Sequence, residues 1–455
     1  MTADAGCTPR RRPAGTIQAM EIERAALAAV DPVALARDAA AALQVPSPTG
    51  DERAVLELLA QTAAALGLEP DLHRHDLAAL RRHPGHPGEE AARSELWGLT
   101  AELGGGVPRR ICINGHVDVV EAGSAPWRHG PWSGAVEDGR LHGRGAVDMK
   151  AAVVAALHAV AAVRAAGAAE HVPAVVVQCV SAEEDGGLGT FAELERDAAF
   201  DAALINEPTG FDVVCAQAGA LTFRGVVPGR AAHAAHRLEG HSAIDRYVAV
   251  HAALGEHERR INAGVEHPLM RELALPYPLL VGRVSGGAWS SQVPDRLEFE
   301  GRLGVPVGED PARARAALEA VVAAALDDGE APAEIEWTGG SFAPAETAPE
   351  HAWVRLVTAA VQDELGRPVR IAGVPWGADM RQFTARGIPC TMAGTRGIEL
   401  AHAVDERVEL SELVSLARAI VRVVARAGAS SDTHTPNVGW EAPHGRPARH
   451  SSSEG

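Results

Sequence analysis

The strongest constraint on how this chain folds is a repeated pattern: short apolar runs, each ending on a His, Asp or Glu, with helical stretches between them. Arg110 to Ile113 reads as a buried strand and leads into Asn114-Gly115-His116-Val117-Asp118. Ala174 to Val180 leads into Ser181-Ala182-Glu183-Glu184-Asp185-Gly186-Gly187, and Ala202 to Ile205 into Asn206-Glu207-Pro208-Thr209. Between the first two lies a long Ala/Val helix from Met149 to Ala166, with Asp148 at its start and Gly167 at its end. Such alternation predicts an α/β fold with a mostly parallel sheet flanked by helices. In open sheets of this kind ligands gather at the carboxyl ends of the strands, where these acids and imidazoles fall.

The rhythm changes near Gly219. A strand at Thr222 to Val227, a helix at Ser242 to Ile261, strands at Leu279 to Val284 and Arg296 to Val305, and a helix at Pro311 to Leu326 form a compact inserted α+β block. The resulting division is an arm at 1–19, a first catalytic segment at 20–217, the insert at 218–334, a second catalytic segment at 335–428 and a tail at 429–455. Arm and tail are expected to be disordered, and His434, His444 and His450 in the tail to be incidental. Residues 21–66 read as helical with a break at Pro46-Ser47-Pro48, and 73–95 as a loop rich in His, Arg, Pro and Gly.

Composition removes several classes of function. The chain has 455 residues, 46% of them hydrophobic but only 4% aromatic, so its cores must be built from Ala, Val and Leu. A formal net charge of -18 argues against nucleic acid, whose phosphates need clustered Lys and Arg. Lys150 is the sole lysine. No apolar run reaches the roughly 20 residues a membrane helix needs, and no apolar stretch follows Arg10-Arg11-Arg12 to make an export signal. The five cysteines form no CxxC pair, and Cys112 and Cys179 sit in strand-like runs. A reducing, cytoplasmic compartment is expected.

Taken singly, each strand-end feature is ordinary. An Asp opening a helix is usually a cap, adjacent Glu residues are usually solvated, and His402 is one of 20 histidines. Taken in order, they supply two imidazoles and three carboxylates for metals, with one Glu left over as a base. That set suits two zinc ions bridged by an Asp and a water.

The chain then resembles the dizinc family of acetylornithine deacetylases, succinyl-diaminopimelate desuccinylases, aminoacylases and glutamate carboxypeptidases, over most of residues 21–427. The stretch from Trp127 through Pro131-Trp132-Ser133-Gly134 and Gly139-Arg140-Leu141-His142-Gly143-Arg144-Gly145 to Lys150 is similar to the family's run between its first two ligands. The resemblance implies that His116, Asp148 and Glu207 hold one zinc and Asp148, Glu184 and His402 the other, with cobalt or manganese as alternatives. It implies Asp118 as the residue orienting His116, Glu183 as general base, and a cis peptide after Asp148. The insert resembles a lid and dimerisation domain, which implies a homodimer. Within it, Gly229-Arg230-Ala231-Ala232-His233-Ala234 implies His233 as an oxyanion-stabilising residue, with His236 and His241 as nearby alternatives. Ser291 stands where relatives usually carry Asn, and Arg302 lies two residues before the Arg of many members. Trp376-Gly377-Ala378-Asp379-Met380-Arg381 resembles a loop whose Arg grips a substrate carboxylate. Where relatives often have Gly-Pro-Gly ahead of the last His, this chain has Ala393-Gly394-Thr395-Arg396-Gly397. The implied activity is hydrolysis of the amide in a small N-acyl amino acid. A dipeptidase or carboxypeptidase is the alternative, and a catalytically silent binding protein a remote one.

Overall fold

A computed structural model describes residues 14–326 and 329–429. Among the described residues three helices come first: Ala14–Ala29, Pro32–Gln44 and Arg53–Ala65. Asp31 caps the second, its carboxylate accepting the N–H groups of Val33 and Ala34, with a proline in the first turn. The first helix begins at Ala14, so residues 14–19 are helical and do not belong to an arm. It packs against Lys150–Ala165 and Leu410–Ala429, and Glu23 pairs with Arg422 and Arg426. Residues 1–13, the tail from Ser430 and its three histidines lie outside the described residues; Ala429 closes the last helix.

The main sheet has nine strands. Its centre is four parallel strands in the order Pro173–Val180, Val107–His116, Ala202–Ile205 and Cys390–Met392. Register pairs Asn114 with Gln178 on one side and with Ile205 on the other. Antiparallel strands extend the edges: Trp97–Leu103 and then Glu69–Arg74 on one side, Val213–Gln217 and then Ala345–Glu346 on the other. Ile371–Val374 adds a parallel partner to Val213–Gln217. The helix Lys150–Ala165 is buried from Lys150 through Val163, and packs against three other helices as well as the sheet. Its Ala and Val side chains let those neighbours approach closely, which is how a core poor in aromatics reaches normal density. Cys112, Cys179, Cys215 and Cys390 are all buried free thiols.

The second sheet is antiparallel throughout, in the order Leu279–Gly286, Arg296–Val305, Gly219–Pro228, Glu334–Phe342. Helices Ala243–Asn262 and Pro311–Ala325 pack together beside it, over a core that includes Leu221, Phe223, Leu254, Phe299 and Leu318. The fourth strand carries this sheet past the boundary expected at 334: Thr338 pairs with Thr222 and Phe342 with Ala220. Its sequence, Glu-Ile-Glu-Trp-Thr-Gly-Gly-Ser-Phe, has too few apolar residues to read as a strand, and its register shifts between Thr338 and Ser341, across Gly339 and Gly340.

The segment 73–95 is more ordered than a loop. It holds the short helix Leu77–Arg82, capped by Asp76. It is pinned by Arg93, whose fully buried side chain lies 3.2 Å from Glu52 and 3.0 Å from Asp185. The Asp148–Met149 peptide is cis. Among the described residues no helix is long and apolar enough to cross a membrane.

Candidate active site

The parallel strands deliver their ends to one place. His116 is the last residue of its strand, Glu183 and Glu184 follow Val180 by three and four residues, and Glu207 follows Ile205 by two. Asp148 precedes the buried helix, and His402 lies in the loop after Ile398–Leu400 with φ 61°. The five ligand positions meet in two trios that share Asp148. His116 Nε2 is 2.9 Å from Asp148 Oδ1 and 3.9 Å from Glu207 Oε1. His402 Nε2 is 3.4 Å from Asp148 Oδ2 and 3.1 Å from Glu184 Oε1. Within each trio the donor atoms all lie within 4.8 Å of one another.

Protonation follows from this crowding. Hydrogen bonds to Asp148 and Glu184 hold the His402 imidazole up at about 10. Burial, then the Asp148 charge, push Glu207 up to about 8. Burial, then the charges of Asp379 and Glu207, push Glu183 well above the usual carboxylate range. Asp148 is driven up by burial, yet hydrogen bonds from His116 and His402 bring it below its ordinary value. Four carboxylates, two buried and two part-buried, facing two imidazoles are costly unless positive charge joins them. Each trio offers the nitrogen and oxygen donors that could hold a divalent cation, with Asp148 contributing one oxygen to each.

Asp118 meets His116 through its main chain. The Nδ1 of His116 donates to the Asp118 backbone carbonyl at 2.9 Å, and the Asp118 carboxylate is farther off at 3.6 Å. That carbonyl sets the tautomer and leaves Nε2 aimed at Asp148 and Glu207. The carboxylate instead accepts the backbone N–H groups of Glu183 and Glu184, each at 3.1 Å, and the Thr49 hydroxyl at 3.0 Å. It therefore fixes the path of the loop that carries Glu183 and Glu184. Thr49→Val should lower stability by about 1.5–3 kcal/mol, the worth of a hydrogen bond to a charged group. Urea denaturation would measure this, and an unchanged midpoint would remove Thr49 from the loop's support.

Arg381 is enclosed, only 5% exposed. Its guanidinium donates to the carbonyls of Ala378 and Gly186 and lies 4.0 Å over the Phe342 ring. Its hydrogen bonds thus brace the Glu183–Gly187 loop; they do not present an open grip for a substrate carboxylate. Gly187 is required beside it. At φ +74° a Cβ there would fall 2.1 Å from Asp379 Oδ1 and 2.7 Å from Arg381 Nη2. Arg302, on the second sheet, is exposed and stacks 5.5 Å over the same Phe342 ring. His233 and Ser291 are brought together in the second sheet's unit: Ala234 N–H donates to the Ser291 carbonyl, and His233 bridges Gln292. The His233 Nδ1 accepts the Ala235 N–H at 3.1 Å.

Several supporting residues were not visible in sequence. Glu406 Oε1 accepts the N–H groups of Val147 and Asp148 at 2.8 and 3.2 Å, and Oε2 pairs with Arg144 at 2.7 Å. Arg144 also donates to the carbonyls of His402 and Ala403. This buried pair ties the loop of Asp148 to the loop of His402. Lys150 donates to the Val45 carbonyl at 2.7 Å, so the sole lysine anchors the end of the second helix. Arg144 lies in the stretch Gly139 to Gly145 and Glu406 four residues after His402, but nothing in either segment shows that the two meet.

Comparison with known proteins gives the family and the fold. Among curated relatives, a succinyl-diaminopimelate desuccinylase of Methylobacterium sp. (strain 4-46) is 30% identical over 411 residues, covering 86% of this chain and 95% of the relative. One from Rhodopseudomonas palustris (strain BisB5) is 28% identical over 338 residues, covering 72% and 84%. Among solved structures, the dipeptidase Dug1p from Saccharomyces cerevisiae superposes with a TM-score of 0.70 at 15% identity, covering 91% of this chain and 99% of its own. The M20 family metallo-carboxypeptidase Sso-CP2 from Sulfolobus solfataricus gives 0.68 at 16%, covering 86% and 98%. At such identities these structures speak to the fold alone. The pattern of Peptidase family M20/M25/M40 matches residues 112–426, a span that begins in the His116 strand and takes in all five clustered ligand positions, and the chain belongs to that family.

Proposed function

We propose that this chain is a two-zinc hydrolase that splits the amide bond of a small N-acyl amino acid. The observation that carries the reading is the pair of donor trios sharing Asp148, with Glu183 beside them and in neither. His116, Asp148 and Glu207 would hold one cation, and Asp148, Glu184 and His402 the other. When bound, such cations polarise a carbonyl and lower the pKa of water. Glu183 takes a proton from the attacking water and hands it to the departing amine nitrogen. His233 donates to the oxygen of the tetrahedral intermediate, reaching it from a partner subunit's lid in a homodimer. The exposed Arg302 and Ser291 take the substrate's polar groups, Arg302 pairing with a carboxylate. The enzyme acts in the cytoplasm.

A deacylase is preferred to a dipeptidase or carboxypeptidase because the desuccinylases are related at 28–30% identity, whereas the peptidase structures share only the fold. A silent binding protein is disfavoured because all five ligand positions and the base are present. The test is a panel of N-succinyl, N-acetyl and N-formyl amino acids and dipeptides, assayed on chelator-stripped protein reloaded with zinc, cobalt or manganese. Hydrolysis of the N-acyl amino acids that zinc restores is the expected result. Faster cleavage of dipeptides would replace the reading with a peptidase, and no turnover by zinc-loaded protein would leave a binding protein.

A further inference from the structure

A second set of metal-type side chains lies away from the Asp148 cluster and shares no residue with it. His73 belongs to the edge strand Glu69–Arg74, His75 follows it, and Glu193 lies on the helix Leu188–Arg196. His73 Nε2 is 2.8 Å from Glu193 Oε1, and His75 Nε2 is 3.3 Å from the same oxygen. The three donor atoms lie within 4.8 Å of one another. Glu193 is 1% exposed, and the His75 side chain 7%. His75 Nε2 is buried, and its 3.3 Å approach to Glu193 Oε1 falls short of a well-aligned hydrogen bond.

Three features mark this as a prepared site. The His73 Nδ1 donates to the Asp71 carbonyl at 3.0 Å, which orients the ring and directs Nε2 at Glu193 Oε1, 2.8 Å away. A ring nitrogen and a carboxylate oxygen at this distance share either a proton or a cation. His75 aims a second nitrogen at the same oxygen. The space itself depends on Gly98, which pairs with His73 across the sheet. A Cβ there would fall 2.0 Å from Glu193 Oε1 and 2.7 Å from His75 Nε2.

We propose that His73, His75 and Glu193 form a third divalent-cation site, of the zinc class, at the edge of the main sheet. Two imidazole nitrogens and one carboxylate oxygen are a donor set that zinc favours, with a fourth position left for water. The ion joins the edge strand to the helix that follows the Glu183–Gly187 loop, and so braces that loop from behind. Its competitor is Arg196, whose Nη1 approaches His73 Nε2 at 3.4 Å and which also pairs with Asp71. Arg196 is 42% exposed and can swing into solvent.

The experiment counts zinc per chain in the full-length protein, by mass spectrometry of the metal after reloading and gel filtration. Wild type is expected to retain one zinc more than His75→Ala and one more than His73→Gln, and Arg196→Gln to hold that extra ion more tightly. Equal counts in wild type and both variants would overturn the proposal and leave an imidazole–carboxylate cluster bridged by protons. Anomalous diffraction from zinc-soaked wild-type crystals needs no variant to fold. A peak bounded by His73, His75 and Glu193 is expected, and its absence overturns the site. Because the readout is a difference of one ion at residues outside the Asp148 cluster, it stands or falls independently of the proposed hydrolysis.

Discussion

Glu183→Gln is expected to lower kcat by about 10²–10⁴-fold, the usual worth of a positioned general base, while metal content stays as in wild type. The prediction separates two roles that adjacent residues of like charge could exchange. Glu184 Oε1 lies 3.1 Å from His402 Nε2 and belongs to a donor trio; Glu183 belongs to neither. Glutamine preserves the size of the side chain and leaves untouched the backbone N–H that Glu183 gives to Asp118. It removes only the capacity to accept and return a proton. Metal content of the purified variant, measured beside its kcat on the best N-acyl substrate, checks both halves. Full activity would exclude Glu183 as the base. Loss of one cation together with activity would make Glu183 a ligand and require a new assignment within the Glu183-Glu184 pair.

Four of the five clustered residues, His116, Asp148, Glu184 and Glu207, were legible because each sits just after an apolar run or at a helix start, where one-dimensional pattern and three-dimensional position coincide; His402, in the loop after Ile398–Leu400, carries no such local mark. His116 closes the strand that Ile111-Cys112-Ile113 announces, and Glu207 follows Ile205 in the same way. What stayed hidden depends on side-chain direction or on contacts across long separations. No pattern distinguishes the Asp118 carbonyl from its carboxylate as the partner of His116. The resemblance placed Arg381 in a substrate-facing loop, yet its guanidinium turns inward to Gly186 and Ala378. His73 and Glu193 are 120 residues apart, and reading 73–95 as an unstructured excursion concealed that His73 and His75 border a paired edge strand. The strand Glu334–Phe342 was missed for the opposite reason: its partner Gly219–Pro228 supplies the apolar face that its own residues lack.

The largest effect on stability is expected at Arg144, a residue remote from the proton chemistry. Arg144 is 2% exposed, Glu406 is fully buried, and their 2.7 Å ion pair spans 262 residues of sequence. Through Glu406 the pair holds the N–H groups of Val147 and Asp148; through Arg144 it holds the carbonyls of His402 and Ala403. Arg144→Met keeps much of the side-chain volume but leaves the Glu406 carboxylate buried without its cation, a loss of about 3–5 kcal/mol. Because Asp148 and His402, both members of the donor trios, are positioned from this pair, zinc affinity should fall by about 10–100-fold as well, the usual effect of removing a group that orients ligands. Adding Glu406→Gln removes the stranded charge while keeping an oxygen for the Val147 and Asp148 N–H groups. The double variant should therefore be more stable than Arg144→Met alone, with a favourable coupling energy in the cycle. Urea denaturation of the four proteins, with zinc titrated against a chelator of known affinity, measures both quantities. Strictly additive losses would show that the pair acts as two independent contacts. Unchanged zinc affinity in Arg144→Met would show that Asp148 and His402 hold their positions without it.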